Sequence, residues 1–326
     1  MDDNNGCILA LAGGVGGAKL VAGLAAALEN QPETPSLKVV VNTGDDFEHL
    51  GLHIAPDLDS VTYALADLND TERGWGMRGE TWQFMQALEQ LGGETWFSLG
   101  DQDLATHVER TRLLNGGATL SQATSHLTRA LGIAVDVAPM SDKPVRTIVH
   151  TDAGALAFQH YFVREQCRPA VSHFEFAGAE AASPSPLLDE TLSRTDLRAV
   201  VICPSNPFIS IDPMLSMPGV KARLASTCAP VVAVSPIIGA EAIKGPAAKM
   251  LSELGYEVSA AGIYSHYDGL LDGFVVDRVD EQLVAQMAPA PLRAAQTLMK
   301  SAADRTELAK TVLDWCDELR GRRTTS

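Results

Sequence analysis

No C-x-x-C pair occurs in this chain of 326 residues, and its five cysteines, Cys7, Cys167, Cys203, Cys228 and Cys316, sit mostly in apolar runs such as Val200-Val-Ile-Cys203. That leaves buried thiols in a reducing compartment as their reading. Basic residues are scarce: Lys and Arg number 25 against 41 Asp and Glu, a formal charge of −16. Such a surface repels polyanions and excludes general nucleic-acid binding. An anionic small substrate would need local Arg or Lys side chains, backbone amides or a metal ion to receive it. No apolar run approaches the ~20 residues that span a bilayer. The start, Met1-Asp-Asp-Asn-Asn5, lacks the basic beginning of a signal peptide. A cytoplasmic protein without a membrane partner is therefore expected. There is no internal repeat and no low-complexity tract.

What is present reads as an α/β protein. Cys7 to Ala12 is a short continuous apolar run, the pattern of a strand covered on both faces. Gly13-Gly-Val-Gly-Gly17 follows it, and Ala18 to Leu28 reads as a helix rich in Ala and Leu. Lys38-Val-Val-Val-Asn42 is a second strand that stops at polar residues. Strand, glycine loop, helix, strand is the opening unit of a doubly wound fold. Residues from about 60 to 131 then carry a helical pattern, with helices predicted over Thr81 to Leu91 and Leu104 to Leu114. Strand signals return at Arg146 to His150, Ala199 to Cys203, Pro230 to Val234 and Phe274 to Val276, and Asp280 to Arg323 reads as helical. The expected architecture is one large α/β domain over 1–326. It has a Rossmann-like, doubly wound, mostly parallel sheet, with a mainly helical insertion at about 60–135 between the two halves of the sheet.

The loops that follow the strands carry the candidate chemistry. Glycines at 13, 14, 16 and 17 allow a tight turn and let backbone N–H groups approach phosphate oxygens at a helix start. The loop has neither the G-x-G-x-x-G register of nicotinamide proteins nor the Gly-Lys-Ser/Thr of a Walker A loop, and a turn without a ligand is the plain alternative. Lys19 in the first helical turn favours phosphate, because a cation there opposes the helix dipole unless an anion is near. Asn42-Thr-Gly-Asp-Asp46 and Pro56-Asp-Leu-Asp59 place acidic residues just past a strand end, where such sheets bind ligands. Their convergence in a phosphate-handling protein suggests a Mg²⁺ site with one or two protein ligands, for which Asp45 and Asp59 are the candidates. Asp57 reads equally well as a helix cap. His107 lies one turn into a helix starting near Asp101 or Asp103. Arg73, Arg78, Arg110, Arg112 and Arg146 are the cations available to an anionic donor. Ser205 and Asn206 could read a base or ribose, and Lys244 could meet a phosphate.

Seven segments in order, Gly13-Gly-Val-Gly-Gly-Ala-Lys19, Asn42-Thr-Gly-Asp-Asp46, Pro56-Asp-Leu-Asp59, Gly100-Asp-Gln-Asp-Leu-Ala-Thr-His107, Met140-Ser-Asp-Lys-Pro-Val145, Pro204-Ser-Asn-Pro207 and Ser235-Pro-Ile-Ile-Gly239, resemble the 2-phospho-L-lactate transferase (CofD) family of coenzyme F-420 biosynthesis. The resemblance spans about Gly13 to Asp277. It implies transfer of a phospho-acid group from a guanosine 5′-diphosphate-linked donor to the ribityl hydroxyl of the deazaflavin Fo (7,8-didemethyl-8-hydroxy-5-deazariboflavin), with Mg²⁺ present and GMP released. The acid is 2-phospholactate or its phosphoenolpyruvate or 3-phosphoglycerate equivalent. The resemblance implies that Asp59 and the position of Ser98 contact the deazaflavin, and a homodimer is the expected assembly. On their own chemistry Gly13 to Gly17 are expected to hold the diphosphate, Ser205 and Asn206 the nucleotide, and Asp45 and Asp59 the metal or the attacking hydroxyl. The alternative is a YvcK-like regulator that binds a nucleotide sugar without transferring anything.

Overall fold

In the computed structural model, which describes residues 5–29, 34–239, 241–242 and 246–324, the first apolar run becomes the middle of a seven-stranded sheet. The strands are β1 (Cys7–Ala12), β2 (Ser36–Val41), β3 (Asp136–Pro139), β4 (Leu197–Ile202), β5 (Val231–Val234), β6 (Gly273–Asp277) and β7 (Leu292–Ala295). Their spatial order is β7-β6-β5-β4-β1-β2-β3, and every neighbouring pair is parallel. This is the doubly wound order. It reverses direction between β1 and β4, and sheets of this kind bind ligands outside the strands' carboxyl ends at such a switch point.

Period-two alternation sorts the strand residues onto two cores. Leu9, Leu11, Val200, Ile202, Phe274 and Val276 face one side with Met140, Leu188 and Phe208. Ile8, Ala10, Val39, Val41, Val201 and Val275 face the other, under Leu20 and Leu24 of α1 (Gly14–Leu28) and Leu308, Val312 and Trp315 of the C-terminal helix (Ala302–Thr324). Burying one such aliphatic side chain contributes about 1.5–3 kcal/mol. With both faces covered, the strands need no polar alternation, and that is why they read as unbroken apolar runs. Cys7, Cys203 and Cys316 lie in these cores, and burial pushes the Cys203 thiol far up. Among the described residues no helix is long and apolar enough to cross a membrane.

The expected helices form as α2 (Pro56–Leu65), α3 (Gln83–Gln90), α4 (Asp101–Asn115) and α5 (Leu120–Ala130). They occupy the connection between β2 and β3, inside the first half of the sheet. The segment that separates the halves instead carries a small antiparallel sheet of Arg146–Thr151 flanked by Gly154–Ala157 and Val171–Ala177. The strand expected at Arg146 to His150 therefore belongs to this outer sheet. Its Thr147 N–H donates to the Gly44 carbonyl at 2.8 Å, pinning the loop after β2.

β7 lies where a helix was expected. Leu292-Arg-Ala-Ala295 carries no β-branched residue, so its own pattern favours a helix. Pairing with Phe274 to Asp277 along the sheet edge makes it a strand.

α1 and the C-terminal helix approach closely at Gly23, where an added Cβ would stand 2.2 Å from the Arg305 carbonyl oxygen. Alanine is the better helix former, but the clash is with backbone and cannot rotate away. Gly23→Ala should therefore destabilise the fold by about 2 kcal/mol in urea denaturation.

Candidate functional site

β1 ends at Ala12 and α1 begins at Gly14, so Gly14, Gly16 and Gly17 form the first helical turn and only Gly13 lies before it. Three of the glycines answer to packing, for a Cβ on Gly13 would stand 2.6 Å from the Ser210 Cβ. A Cβ on Gly16 would meet the Pro204 carbonyl oxygen at 2.3 Å, and one on Gly17 would meet Ser205 Oγ at 2.7 Å. Gly14 differs: its φ is +61°, and nothing among the described residues lies within 4 Å of where a Cβ would stand. The helix start is thus open on that side to an approaching anion.

The Ser205 hydroxyl accepts from Gly13 N–H at 3.0 Å and donates to the Gly13 carbonyl at 2.8 Å, stitching the end of β4 to the end of β1. The Asn206 side chain accepts from Phe208 N–H at 3.1 Å. Lys19 turns its ammonium to the Met299 carbonyl at 3.0 Å, beyond β7. The glycines, Ser205 and Asn206 therefore gather at the crevice, whereas Lys19 reaches along α1. Lys244 lies outside the described residues.

The carboxylates gather beside this turn, but in a different pairing from the one expected. Asp57, not Asp59, touches α1. Its Oδ1 accepts from Gly14 N–H at 2.7 Å and its Oδ2 from Asn42 Nδ2 at 2.9 Å. Residues 57 and 59 are two steps along α2, about 200° apart around its axis, so they project to opposite sides. The capping reading of Asp57 is half right: it caps α1 rather than its own helix. Asn42 completes the tie, donating also to the Ile209 carbonyl at 3.1 Å while its Oδ1 accepts from Gly44 N–H at 2.9 Å.

Asp45 and Asp46 lie buried next to Asp57, each with one carboxylate oxygen that has no hydrogen-bond partner among the described residues. Burial, then the Asp57 charge, pushes the Asp45 carboxyl well above its ordinary range despite help from Asn42. Burial pushes Asp57 up to about 6, against the bonds from Asn42 and Gly14. Asp46 is raised by burial too, although His53 Nε2 stands 3.0 Å from its Oδ2.

Asp59 faces α4. Arg110 grips both of its oxygens, through Nη2 to Oδ1 and through Nη1 to Oδ2 at 3.2 Å, and also reaches the His53 carbonyl at 3.3 Å. Arg110 Nη1 is 3.3 Å from His107 Nδ1. An arginine only donates, so Nδ1 is the acceptor and the ring proton belongs on Nε2, facing Asp103 Oδ2 at 3.3 Å. The Tyr63 hydroxyl donates to the other oxygen of Asp103. Burial opposes the charge on Asp103, but His107, Tyr63 and Arg110 outweigh it and hold its carboxyl below the ordinary range. Asp103, His107 and Arg110 stand four and three residues apart, one face of α4. That spacing was legible in the sequence; its partner Asp59 was not.

Two groupings could hold a cation, and they differ in fit. Asp59, Asp103 and His107 bring ligand atoms within 4.8 Å of one another. A guanidinium already neutralises Asp59 there and engages His107 Nδ1, so a divalent ion would meet a fixed positive charge. Among the described residues Asp45 and Asp57 have no cation against them, and the unpartnered Asp45 Oδ1 is the atom a hard ion would take. The second grouping fits; the first does not.

Ser98 is exposed, in the loop before α4. Next to it Trp96 and Phe97 pack with Phe47 and His49 of the hairpin Phe47–Ile54, at ring separations of 4.9–5.9 Å. Of the remaining arginines, Arg73 stacks on Trp75 and Trp82, Arg78 bonds the Asp67 carbonyl and Arg112 pairs with Glu109. Arg146 reaches the Thr43 carbonyl at 3.4 Å, on the loop that carries Asp45.

A helix start, a crevice at the switch point and a buried set of carboxylates define a doubly wound α/β protein equipped to handle a phosphate-linked group. Residues 8–314 match the family described as 2-phospho-L-lactate transferase CofD. The chain belongs to that family and is a transferase. It is 39% identical to a phosphoenolpyruvate transferase of Kitasatospora aureofaciens, over 96% of this chain and 98% of that one. It is 36% identical to a 2-phospho-L-lactate transferase of Methanosarcina mazei, over 94% and 99%. A crystal structure of a UPF0052-family protein from Bacillus halodurans shares the fold, with a TM-score of 0.62 at 13% identity over 94% of this chain and 99% of that one.

Removing Arg110 leaves a carboxylate buried without its partner, so Arg110→Met should cost about 3–5 kcal/mol of unfolding free energy. Arg110→Met combined with Asp59→Leu should recover most of that loss in the same urea titration. The Asp57 carboxyl holds its proton better in the folded protein, about 6 against an ordinary 3.8, so the stability it contributes is present below 3.8 and lost as pH rises through 6. The melting temperature of the metal-free protein should accordingly fall between about pH 4 and about pH 6, and Asp45→Asn should flatten that decline.

Proposed function

We propose that this chain transfers a phospho-acid group from its guanosine 5′-diphosphate-activated donor to the ribityl hydroxyl of the deazaflavin Fo, releasing GMP, in the cytoplasmic synthesis of coenzyme F-420. The transferred acid is 2-phospholactate or its phosphoenolpyruvate or 3-phosphoglycerate equivalent. The observation that carries this reading is the meeting of the α1 start with the buried carboxylates Asp45 and Asp57 at the switch point. Phosphoryl transfer asks for positioning and neutralisation of charge rather than a covalent nucleophile. Backbone amides of the first turn receive the diphosphate, and the Ser205–Asn206 loop lies against the nucleoside.

Asp45 and Asp57 are the residues that would hold Mg²⁺. When bound, the ion neutralises charge on the transferred phosphoryl group. Asp59, clamped by Arg110, offers a fixed acceptor to the attacking hydroxyl. The aromatic group of Phe47, Trp96 and Phe97 beside Ser98 supplies apolar surface for the planar ring of the deazaflavin.

The relatives named for phosphoenolpyruvate and for phospholactate are almost equally similar, at 39% and 36%. Product mass therefore identifies the acid, since the two differ by a pair of hydrogen atoms. The test is to incubate the protein with Fo, Mg²⁺ and each guanosine-linked donor, and to follow the products by mass spectrometry. One donor should yield the deazaflavin adduct and GMP. Asp45→Asn should fold with a melting temperature at neutral pH no lower than the wild type's, and lose about a hundredfold or more in turnover. Absence of product with every donor would overturn the proposal.

A further inference from the structure

The two amides nearest the end of β1 are already taken by oxygens of the protein itself. Gly13 N–H is held by Ser205 Oγ at 3.0 Å, and Gly14 N–H by Asp57 Oδ1 at 2.7 Å. A helix start leaves its first N–H groups without intrahelical partners, and their usual occupant in a phosphate-binding protein is the phosphate. Here a carboxylate fills that place, at the one glycine of the turn whose outer side is open.

A diphosphate entering the crevice would meet this negative charge at short range. It would meet Asp45 as well, buried, 6% exposed, with Oδ1 lacking a hydrogen-bond partner among the described residues. Like charges a few ångströms apart in a poorly hydrated crevice repel strongly. The same two carboxylates are hard oxygen donors, and Asp45 Oδ1 has no hydrogen-bond partner among the described residues. One event removes both obstacles: a divalent cation that takes Asp45 and Asp57 draws the latter's charge off the helix start.

We propose that Asp57 is a placeholder on the anion cradle of α1, so that a divalent cation must bind at Asp45 and Asp57 before a nucleoside diphosphate can dock. This rests on the donor reading given under Proposed function and adds to it an order of binding and the residue that enforces it. Asp57 here is a specificity residue acting through charge: it rejects a diphosphate that arrives without the cation. Guanosine, which has no phosphate, is not subject to this rejection.

The order is read by calorimetry and by Mn²⁺ relaxation of water protons. For the wild type, GDP affinity should drop about thirtyfold or more when Mg²⁺ is replaced by EDTA, while any guanosine binding is unchanged. Mn²⁺ should bind the nucleotide-free protein. In Asp57→Asn the neutral side chain lifts the repulsion, so GDP affinity in EDTA should rise, and the Mg²⁺ effect should shrink to about threefold or less. Mn²⁺ uptake without nucleotide should be lost in that variant.

GDP binding of equal strength with and without Mg²⁺ overturns the inference and leaves the donor reading intact. So does Mn²⁺ uptake that requires GDP. Failure of GDP to bind when Mg²⁺ is present overturns the donor reading and the inference with it. If Asp57→Asn does not fold, the wild-type comparison of GDP with guanosine and the Mn²⁺ titration decide the matter.

Discussion

A single buried carboxylate holds the chemical end of this protein together. Asp57 accepts one hydrogen bond from the first amide of α1 and one from Asn42 at the end of β2, while belonging itself to α2. Asn42 extends the tie to the Ile209 carbonyl, on the segment that follows β4. Three strand ends and two helix starts are thus joined through one acid and one amide. Charge buried in this way is costly unless every oxygen finds a donor. Asp57 has both of its oxygens engaged; Asp45 beside it does not, and that imbalance marks the place where a further ligand belongs.

A second tie joins the helical region to the sheet. Arg110 spans the Asp59 carboxylate, the His53 carbonyl and the His107 ring, and His53 in turn meets Asp46. Aspartates 57 and 59, two residues apart, therefore serve two neighbouring compartments. One faces the phosphate-binding helix start and the other faces the wall built by α4. Neither set of contacts tolerates exchange of the two acids, because the helix turns them to opposite sides.

The glycines of the first turn carry both structure and chemistry. Gly16 and Gly17 let Pro204 and Ser205 press against α1, which draws β1 and β4 together at the switch point. Gly14 keeps the open side. A glycine-rich string announces a tight turn, but it does not say which of its members touch protein and which face a ligand. Only the position of the Pro204–Ser205 loop, almost two hundred residues later, separates them.

The chain's own residues determined the parallel core, because strands buried on both faces carry unbroken apolar runs, as in β1, Val39–Val41 of β2, Ala199–Ile202 of β4, β5 and Phe274–Val276 of β6. They also determined where the chemistry lies, since acids and glycines placed just after those runs end up at the carboxyl edge of the sheet. The resemblance carried by seven ordered segments named the family on the same grounds. Tertiary structure alone decided that Asp57 rather than Asp59 caps α1, that Asp59 takes Arg110, and that Lys19 reaches Met299. It also made a strand of Leu292-Arg-Ala-Ala295, whose pattern favours a helix. The reason is common to all four: each depends on a partner brought near by folding, and spacing along the chain records periodicity within an element but not which element will lie across from it.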